Sequence, residues 1–495
     1  MPALVIALST AQPQRLGDVA LLVGDRPWFL GRVEEGEPQE RQHEEKDAKG
    51  ASDVARAESR LRFGLQRPCD FTETGPLAGK SISRRQLVFT PTPSGMRVEC
   101  VGKAPLRVND VLTERATLVD GDVLTVGKAL VLLFQYRTPS MPRRAVAPSM
   151  LHAFGEPDAL GILGESNVVW ILREQLAFAA KSKAHVLLHG ESGTGKELAA
   201  RAIHRLSSRA DRALVARNAA TLPPGLVDAE LYGSARNYPN AGMAERPGLV
   251  GEADGGTLFL DEIGEMPVEV QAHLLRFLDR DGEHHRLGES RTRRADVRVI
   301  GATNRPLTAM KHDVLARLTA QIELPSLNAR REDIPLLVQH LLRRRAAESP
   351  EIAEKFTERD ALGHVVPRTR PSLLVALLRH RYTTNVRELD ALLWKAMLAS
   401  TDDRLDVPAE LREAKSQGEE AIDVDDLLAG LTATPLPKTV VTPAKRDASS
   451  WTPAEIIVCL QRNQWHQEKT AAALGMTRHT LARRLERMRK DGQLA

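Results

Sequence analysis

The spacing of apolar residues changes along the 495-residue chain, and this change divides the chain into three parts. Between residues 21 and 136, apolar residues come in short or alternating runs separated by turn signals such as Pro-Ser-Gly and Asp-Gly-Asp. This pattern is typical of the short strands of a β-sandwich. The predicted strands are residues 21–23, 28–31, 86–89, 96–101, 106–108 and 123–136.

The middle of the chain alternates strand-like and helix-like patterns. Buried strands are predicted at residues 186–188, 257–260 and 297–302, with an amphipathic helix at 268–278. Such alternation predicts an α/β domain with a mainly parallel sheet. From Ile334 the pattern becomes wholly helical, which predicts a helical lid, and a short helical pattern returns near the C-terminus.

Two segments, 138–156 and 406–450, are predicted linkers because they are rich in Pro, Ser, Thr and Ala or lack an apolar period. Residues 33–60 are dense in Glu, Lys and Arg and predict a solvated loop insertion. We therefore predict a multidomain protein. It has a β-sandwich at 1–137, an α/β domain at 157–330 with a helical lid at 331–405, and an all-α module at 451–495.

Composition excludes some classes of protein. The net charge of +4 is small for a chain with 27% charged residues, so any affinity for nucleic acid must come from a local patch. The cysteines Cys69, Cys100 and Cys459 are far apart, which favours a reducing compartment and gives no metal-ligand spacing. Without a basic leader or an apolar stretch of about 20 residues, we expect a soluble cytoplasmic protein with no membrane partner.

The strongest chemical signal is a glycine-rich segment between a predicted strand and a predicted helix. It consists of Gly190, Glu191, Ser192, Gly193, Thr194, Gly195, Lys196 and Glu197. Glycines let the backbone close around phosphates, and the helix N-terminus supplies positive potential. Lys196 would reach the terminal phosphates. Because Glu197 replaces the usual Ser or Thr, magnesium would rely on Thr194, water or other carboxylates. The strand-loop-helix context disfavours the alternative of a chance glycine-rich loop.

Polar residues follow the next two predicted strands. Asp261 and Glu262 end one strand, and we assign Asp261 to magnesium and Glu262 to the base that polarises the attacking water. Asn304 ends the next strand, where it could bind the γ-phosphate or the water, or simply form a turn. Two solvated acids at a strand end would be the structural alternative.

Five motifs in order give these residues a family context: GESGTGKE at 190–197, GGTLFLDEIGEMP at 255–267, ATNR at 302–305, ARREDIPLL at 329–337 and NVREL at 385–389. They resemble the AAA+ ATPase domain of bacterial enhancer-binding proteins, which activate sigma-54 RNA polymerase, and the resemblance covers about residues 158–400. It implies a homo-oligomeric, often hexameric ring that binds ATP and Mg²⁺ and remodels a closed polymerase–promoter complex.

The resemblance also implies roles for further residues. Arg387 would be the lid arginine on the phosphates, and Asn218 would couple the nucleotide state to the catalytic glutamate. Ile162 and Gly164 would line the adenine pocket. Arg317 would be an arginine finger acting on the neighbouring subunit, while Lys311 stands where the first finger arginine usually lies. This replacement changes a guanidinium fork into a point charge.

Residues 237–242 depart from the family. Members carry the sequence GAFTGA in this loop, which contacts sigma-54, whereas this chain reads NYPNAG between flanks that fit without gaps. Two hypotheses therefore stay open: an activator of sigma-54 polymerase, or a DNA-binding regulator that uses ATP for assembly or switching without touching sigma-54. A third, a non-hydrolysing scaffold, is disfavoured by the intact Lys196, Asp261 and Glu262.

The C-terminal segment 468–490 has small residues in its first helix, a glycine at the turn and a basic second helix. It resembles the Fis-type helix-turn-helix of enhancer-binding proteins, which implies binding to an upstream DNA site. The alternative is a basic helical hairpin. Thr477, Arg478, His479 and Arg483 would lie nearest the bases, and Arg484 and Arg487 nearest the phosphates.

Motifs in the first domain, at 28–32, 82–86, 108–110 and 118–127, resemble a forkhead-associated domain. The resemblance implies a β-sandwich that binds a phosphothreonine protein, with Arg32 and Ser83 on the phosphate and Asn109 on the peptide backbone. Gln86 replaces the usual framework His, and Asp110 replaces the Gly after Asn109. In the structural alternative, Arg32 belongs to a strand-end turn and Ser83 is a cap.

Overall fold

A computed structural model describes residues 1–33, 59–93, 95–266, 282–360 and 363–412, together with 271, 274, 275, 277–279, 481 and 483. Residues 1–419 form one compact unit, and residues 420–495 form a second. Most of the predicted loop 33–60, helix 268–278 and C-terminal module therefore lies outside the described residues. Within the described ranges, no helix is long and apolar enough to cross a membrane.

Residues 1–137 are here called the β-domain, and their described part forms thirteen strands. These are β1 Pro2–Ser9, β2 Val19–Leu21, β3 Trp28–Leu30, β4 Ser59–Arg60, β5 Phe63–Arg67, β6 Asp70–Gly75, β7 Leu87–Thr92, β8 Gly95–Cys100, β9 Leu106–Val108, β10 Val111–Leu112, β11 Arg115–Leu118, β12 Val123–Val126 and β13 Leu130–Tyr136. They form one sheet in the order β10-β9-β12-β13-β1-β2-β5-β6 and another in the order β11-β8-β7-β3-β4. Side chains from both sheets share one apolar core, so the predicted two-sheet β architecture is present.

The first strand was not among the predicted strands, yet it lies in the middle of the larger sheet. β1 pairs antiparallel with both β13 and β2. Leu4 and Ile6 point into the core between the two sheets. Ala3, Val5 and Ala7 point to the opposite face and are equally buried. The predicted single strand at 123–136 is two strands, β12 and β13, joined by a turn.

The α/β subdomain has a parallel five-stranded sheet in the order β15-β16-β19-β14-β20, as predicted. Its strands are β14 Val186–His189, β15 Leu214–Asn218, β16 Thr257–Asp261, β19 Arg298–Thr303 and β20 Ala320–Glu323, with a small hairpin of β17 Glu283–His284 and β18 Arg293–Arg294. Its helices, among the described residues, include α1 Asn167–Lys181, α2 Lys196–Leu206, α3 Val227–Tyr232, α4 Gly248–Glu252 and α5 His312–Arg317. The carboxyl ends of these parallel strands meet at one edge, where ligands of such sheets bind.

The lid contains α6 Ile334–Glu348, α7 Pro350–Ala353, α8 Pro371–Arg379 and α9 Asn385–Ala399. It also contains an antiparallel hairpin of β21 Thr357–Arg359 and β22 Val365–Pro367, so the prediction of a wholly helical lid was wrong. Both predicted linker boundaries also need correction. Val407 and Leu411 are buried in the lid core, and Met141 and Met150 are buried as well, because these apolar side chains find partners distant in sequence.

The lid covers the outer face of the larger β-sheet. α8 contacts β1, β12 and β13. Val5 and Leu133 from the sheet share one apolar cluster with Leu336 and Leu374 from the lid. An antiparallel sheet commonly leaves one face in water. Here both faces are covered, so the β-domain and the lid pack as one body.

A substitution at Leu132 of β13 can test which face of the larger sheet is buried between the two sheets, because this side chain lies fully buried there. The change Leu132→Ala should lower the free energy of unfolding of the β-domain by about 2–5 kcal/mol, since it leaves a cavity. Urea denaturation of the full chain, followed by circular dichroism, measures this. The control Leu112→Ala, at a side chain that is 61% exposed in the same sheet, should change it by less than about 0.5 kcal/mol. Equal effects would contradict this orientation.

Candidate functional site

The loop between β14 and α2 has the backbone geometry of a phosphate cradle. Gly190, Gly193 and Gly195 have φ values of 151°, 74° and 99°, which other residues adopt only with strain. A Cβ at Gly193 would lie 2.1 Å from the carbonyl oxygen of Thr384 in the lid. α2 begins at Lys196, so its positive N-terminal end faces the loop.

Lys196 closes over this loop. Its Nζ donates to the carbonyl oxygens of Gly190, at 2.8 Å, and Glu191, at 3.0 Å. Burial lowers the pKa of Lys196, and the nearby carboxylates of Asp261 and Glu262 oppose this shift. The ammonium group therefore lies between the loop and the two acids, where the terminal phosphates of a nucleotide would lie.

Thr194, which was proposed to help bind magnesium, and Glu197, which replaces the usual Ser or Thr, differ in position. The Thr194 hydroxyl is nearly buried and donates to the carbonyl oxygen of Glu191 at 2.8 Å. The Glu197 carboxylate is exposed and accepts from Arg201, one turn further along α2, at 2.7 Å. Only the backbone of Glu197 therefore belongs to the cradle, because its side chain is directed along the helix surface.

The acids lie at the end of β16, next to β15. Burial raises the pKa of Asp261, and the neighbouring charge of Glu262 raises it further. Glu262 has a left-handed backbone, with φ of 54°, a conformation that costs about 1–3 kcal/mol and is common at active sites. The Asn218 amide donates to Glu262 Oε2 at 2.8 Å. Parallel pairing places Asn218 directly opposite Asp261, which brings the three predicted residues together.

Asn304 follows β19, which lies between β14 and β16, and its side chain is exposed. It is therefore at the same sheet edge as the acids. The preceding residue, Thr303, is fully buried, and its hydroxyl oxygen accepts from the N–H of Arg305 at 3.0 Å. Thr303 fixes the turn that presents Asn304.

The lid contributes two side chains to the loop. Arg387, which was predicted, donates to the Ser192 hydroxyl at 3.0 Å. Asn385 was missed, although it is fully buried and has a left-handed φ of 52°. Its amide donates to Glu191 Oε2 at 3.0 Å and to the Ser192 carbonyl at 2.9 Å, and its oxygen accepts from Leu327 N–H at 2.6 Å. The sequence signal was its place in the same short motif as Arg387.

Glu388, next to these residues, fixes the start of α9. Its carboxylate accepts from the backbone N–H groups of Thr383 and Thr384 at 2.7 and 2.9 Å and pairs with His380. Burial would raise the pKa of Glu388, but these hydrogen bonds outweigh it and lower the pKa to about 2. The carboxylate therefore stays ionised and anchors the helix that carries Arg387.

Ile162 and Gly164 lie in a segment whose backbone is hydrogen-bonded to a buried arginine. The guanidinium of Arg173 is fully buried and donates to their carbonyl oxygens at 2.9 and 2.8 Å, and it pairs with Asp158 at 3.0 Å. Neither Arg173 nor Asp158 was predicted as part of the site. Their interactions hold the predicted adenine edge in place.

The lid joins this segment through Asp333. Asp333 Oδ1 accepts from the backbone N–H groups of Glu165 and Ser166 at 2.8 and 3.0 Å, and Oδ2 accepts from the Ser166 hydroxyl at 2.6 Å. Asp333 is the residue before α6. Residues 162–166 and 330–333 therefore form the hinge between the α/β subdomain and the lid.

Arg317 lies at the end of α5. Its Nε donates to Asp279 Oδ1 at 2.6 Å, and its Nη1 donates to the Asp313 carbonyl at 3.0 Å. This hydrogen bond to the Asp279 carboxylate raises the pKa of Arg317. To act on a neighbouring subunit, the guanidinium would have to leave this pair. Lys311 caps the start of the same helix, and its backbone N–H donates to Gln271 at 3.0 Å.

A second polar cluster lies at one end of the β-domain. The Arg32 N–H donates to the Ser83 carbonyl at 3.1 Å, and the Ser83 hydroxyl accepts from Lys103 N–H at 3.0 Å. Gln86, the unexpected framework residue, accepts from Ser83 N–H at 3.2 Å and donates to the Ala104 carbonyl at 2.7 Å. Its amide thus ties the Ser83 loop to the neighbouring loop, and Arg32 and Ser83 lie together.

Asn109 does not present its side chain to a ligand, which corrects its prediction. Asn109 and Asp110 have φ values of 52° and 70° and form the tight hairpin turn between β9 and β10, where Asn and Asp are favoured. The Asn109 amide donates to Asp122 at 2.8 Å, and its oxygen accepts from Val123 N–H at 3.0 Å. Both polar groups are used inside the domain.

Two residues of the predicted DNA reader are described. Leu481 and Arg483 are helical, Leu481 is fully buried, and Arg483 is exposed, as a recognition helix would require. The predicted contacts Thr477, Arg478, His479, Arg484 and Arg487 lie outside the described residues.

Glu262 offers a direct test of the site. Glu262→Gln keeps the size of the side chain but removes the carboxylate, so ATP hydrolysis should fall by about 10²–10⁴-fold while nucleotide binding remains. Phosphate release and fluorescent-nucleotide binding measure the two properties. The control Glu252→Gln, an exposed glutamate of α4, should leave both unchanged. Unaltered hydrolysis in Glu262→Gln would contradict the assignment.

Three family models match the chain. A sigma-54 interaction domain matches residues 162–322, an AAA+ ATPase lid domain matches 328–423, and the bacterial regulatory protein Fis family matches 454–488. The first two ranges contain the glycine-rich loop, both acids and the lid residues on the loop.

Curated relatives that match by sequence over 66% to 75% of this chain agree with these models. The transcriptional regulatory protein ZraR of Salmonella typhimurium is 35% identical over 334 residues, which are 66% of this chain and 68% of that protein. The DNA-binding transcriptional regulator NtrC of Klebsiella pneumoniae is 33% identical, covering 75% of this chain and 76% of NtrC. The structure of NtrX from Brucella abortus with ADP is 29% identical, covers 67% of this chain and 69% of NtrX, and has a TM-score of 0.44. The chain belongs to the family of sigma-54-dependent transcriptional regulators, in which an AAA+ ATPase acts in transcription regulation together with a Fis-type DNA-binding domain.

Proposed function

We propose that the chain activates sigma-54 RNA polymerase as a hexameric ring, hydrolysing ATP with Mg²⁺ at its subunit junctions, under the control of a phosphothreonine protein. The observation that carries the ATPase part is the convergence of Lys196, Asp261, Glu262 and Asn218 at one sheet edge. A non-hydrolysing scaffold would have no use for a half-buried aspartate beside a glutamate held by an amide.

Each residue has a distinct part in hydrolysis. Lys196 and Arg387 hold the phosphates, and Asp261 would hold Mg²⁺, which would neutralise charge on the phosphate oxygens. Glu262 orients and polarises the attacking water, and Asn218 restrains the Glu262 carboxylate until nucleotide is in place. Arg317 reaches the nucleotide of the neighbouring subunit, with Lys311 in support.

The loop 237–242 supports polymerase contact despite its altered sequence. Asn237 N–H donates to the Met243 carbonyl at 2.9 Å, and Gly242 N–H donates to the Asn237 side-chain oxygen at 2.9 Å. Tyr238 packs on Gly288, where a Cβ would lie 2.5 Å from its ring. Tyr238 and Met243 nevertheless remain 38% and 42% exposed. This compact turn therefore presents an apolar tip, as a protein-binding loop needs.

Open-complex formation on a sigma-54 promoter tests this loop. With ATP and purified polymerase, Tyr238→Ala should abolish open complexes while ATP hydrolysis stays near wild type, since only the contact tip is removed. Deletion of residues 237–242 should do the same. The control Ile352→Ala, at an exposed apolar residue of the lid, should keep both activities. If ATP is hydrolysed but neither the wild type nor the variants form open complexes, the chain uses ATP for assembly or switching instead.

The proposed phosphothreonine site rests on Arg32 and Ser83. These residues lie side by side at the loops of a two-sheet domain, with Gln86 bracing the loops as described above. The backbones of the two residues are hydrogen-bonded, and a guanidinium together with a hydroxyl is a suitable set of donors for phosphate. The motifs at 28–32 and 82–86, similar to those of forkhead-associated domains, support the same ligand. Asn109 has no part in this proposal.

A degenerate phosphothreonine peptide pool tests the site by fluorescence anisotropy on the full chain. Arg32→Ala and Ser83→Ala should each weaken binding by about tenfold or more, because each removes a charge-assisted hydrogen bond. Arg97→Ala, at an exposed arginine of β8, is the matched control. Binding that does not distinguish the phosphorylated pool from the unphosphorylated one would rule out this ligand.

The DNA part of the proposal assigns contacts within the Fis-type module. Thr477, Arg478, His479 and Arg483 read base edges in the major groove, and Arg484 and Arg487 bind phosphates. The exposed Arg483 on a helix anchored by the buried Leu481 supports this arrangement. Assembly into a ring would bring such modules together in pairs at an upstream site.

A further inference from the structure

The β-domain makes an ionic contact with the α/β subdomain beside the nucleotide hinge. Arg67 of β5 donates to both oxygens of Glu165, at 3.1 and 2.6 Å, and to the His152 carbonyl at 2.7 Å. Its guanidinium also lies over the rings of Phe154 and Trp170 at 5.4 and 5.5 Å. The Arg67 guanidinium therefore makes three hydrogen bonds and two ring contacts with residues outside the β-domain.

A second ionic contact reaches the lid side of the same hinge. Arg137, just after β13, pairs with Glu332 at 2.6 Å, with side chains only 8% and 12% exposed. Gln135 of β13 also donates to Glu332. Burial raises the pKa of Glu332, and the charge of Arg137 opposes this shift. Without Arg137 the carboxylate would be buried and uncompensated.

The two ion pairs flank a hydrogen bond that joins the α/β subdomain to the lid. In this bond the Ser166 hydroxyl donates to Asp333 at 2.6 Å. Glu165 directly precedes Ser166, and Glu332 directly precedes Asp333. The β-domain therefore makes one ion pair with each half of the hinge. Any rotation of the lid against the α/β subdomain must break one of the two ion pairs or carry the β-domain with it.

The apolar core shared by the larger β-sheet and the lid decides which of these happens. β1, β12 and β13 contribute to this core, so the β-domain moves with the lid. The ion pair between Arg67 and Glu165 is then the contact that must break when the lid moves.

The lid also carries Asn385 and Arg387, which hold the phosphate loop. Nucleotide exchange at such a site requires lid movement. We propose that the β-domain is a clamp across this hinge, in which Arg67–Glu165 and Arg137–Glu332 restrain the lid and slow nucleotide exchange until the β-domain is displaced. This inference rests on the nucleotide site of the proposed function, and on neither the polymerase nor the phosphothreonine ligand.

Release of fluorescent ADP from the full-length protein, followed by stopped flow, tests the clamp. Arg67→Gln removes the connection to the α/β subdomain but leaves the phosphate loop intact, so ADP should leave about fivefold faster or more. Arg137→Gln should act in the same direction. The control Arg115→Gln removes an exposed ion pair with Glu99 on the other sheet and should release ADP at the wild-type rate. A rate in Arg67→Gln equal to that of the control overturns the proposal.

Hydrogen exchange without nucleotide gives an independent measurement. Amides in residues 152–166 and 330–338 should exchange faster in Arg67→Gln than in Arg115→Gln, while the β-domain core keeps its protection. Equal exchange in the two variants overturns the clamp, and faster exchange with unchanged ADP release overturns its link to the nucleotide. Because neither assay contains polymerase or phosphopeptide, loss of those functions would be seen separately.

Discussion

The burial of apolar side chains on both faces of β1 and β13 is the constraint on which the arrangement of residues 1–412 depends. One face of these strands closes the core between the two sheets, and the other packs against the lid. Because an exposed face of this composition would be costly in water, the β-domain cannot sit apart from the ATPase. Its position then brings Arg67 and Arg137 to the hinge.

The nucleotide site depends on the parallel arrangement of strands in the α/β subdomain. Parallel pairing of β15, β16, β19 and β14 brings four chain segments to one edge, so Asn218, Asp261 and the glycine-rich loop meet without any long side chain reaching across the domain. The lid completes the site through Asn385 and Arg387. The sheet thus positions the catalytic side chains, while the lid, and the contacts that restrain it, control the access of nucleotide to the site.

Two motif residues of the β-domain, Gln86 and Asn109, acquire a physical explanation from the fold. Gln86 offers both a donor and an acceptor, so its amide can tie the two loops together in place of a histidine. Asn109 was assigned to a ligand on the strength of its motif, but its positive φ and its bonds to Asp122 and Val123 are those of a hairpin turn. The motif fixed the turn, and only the fold showed what the side chain does.

The sequence by itself determined the local features: the phosphate loop, the acids at the end of β16, the parallel α/β pattern and the helices of the lid. These follow from spacing and residue chemistry within a few positions. Tertiary structure alone decided the second buried face of β1, the hairpin in the lid, the burial of Met141 and Met150, and the roles of Asn385 and Arg67. Each of these depends on a partner far away in sequence, such as Glu165 for Arg67, and no local pattern of apolar and polar residues encodes such a pairing.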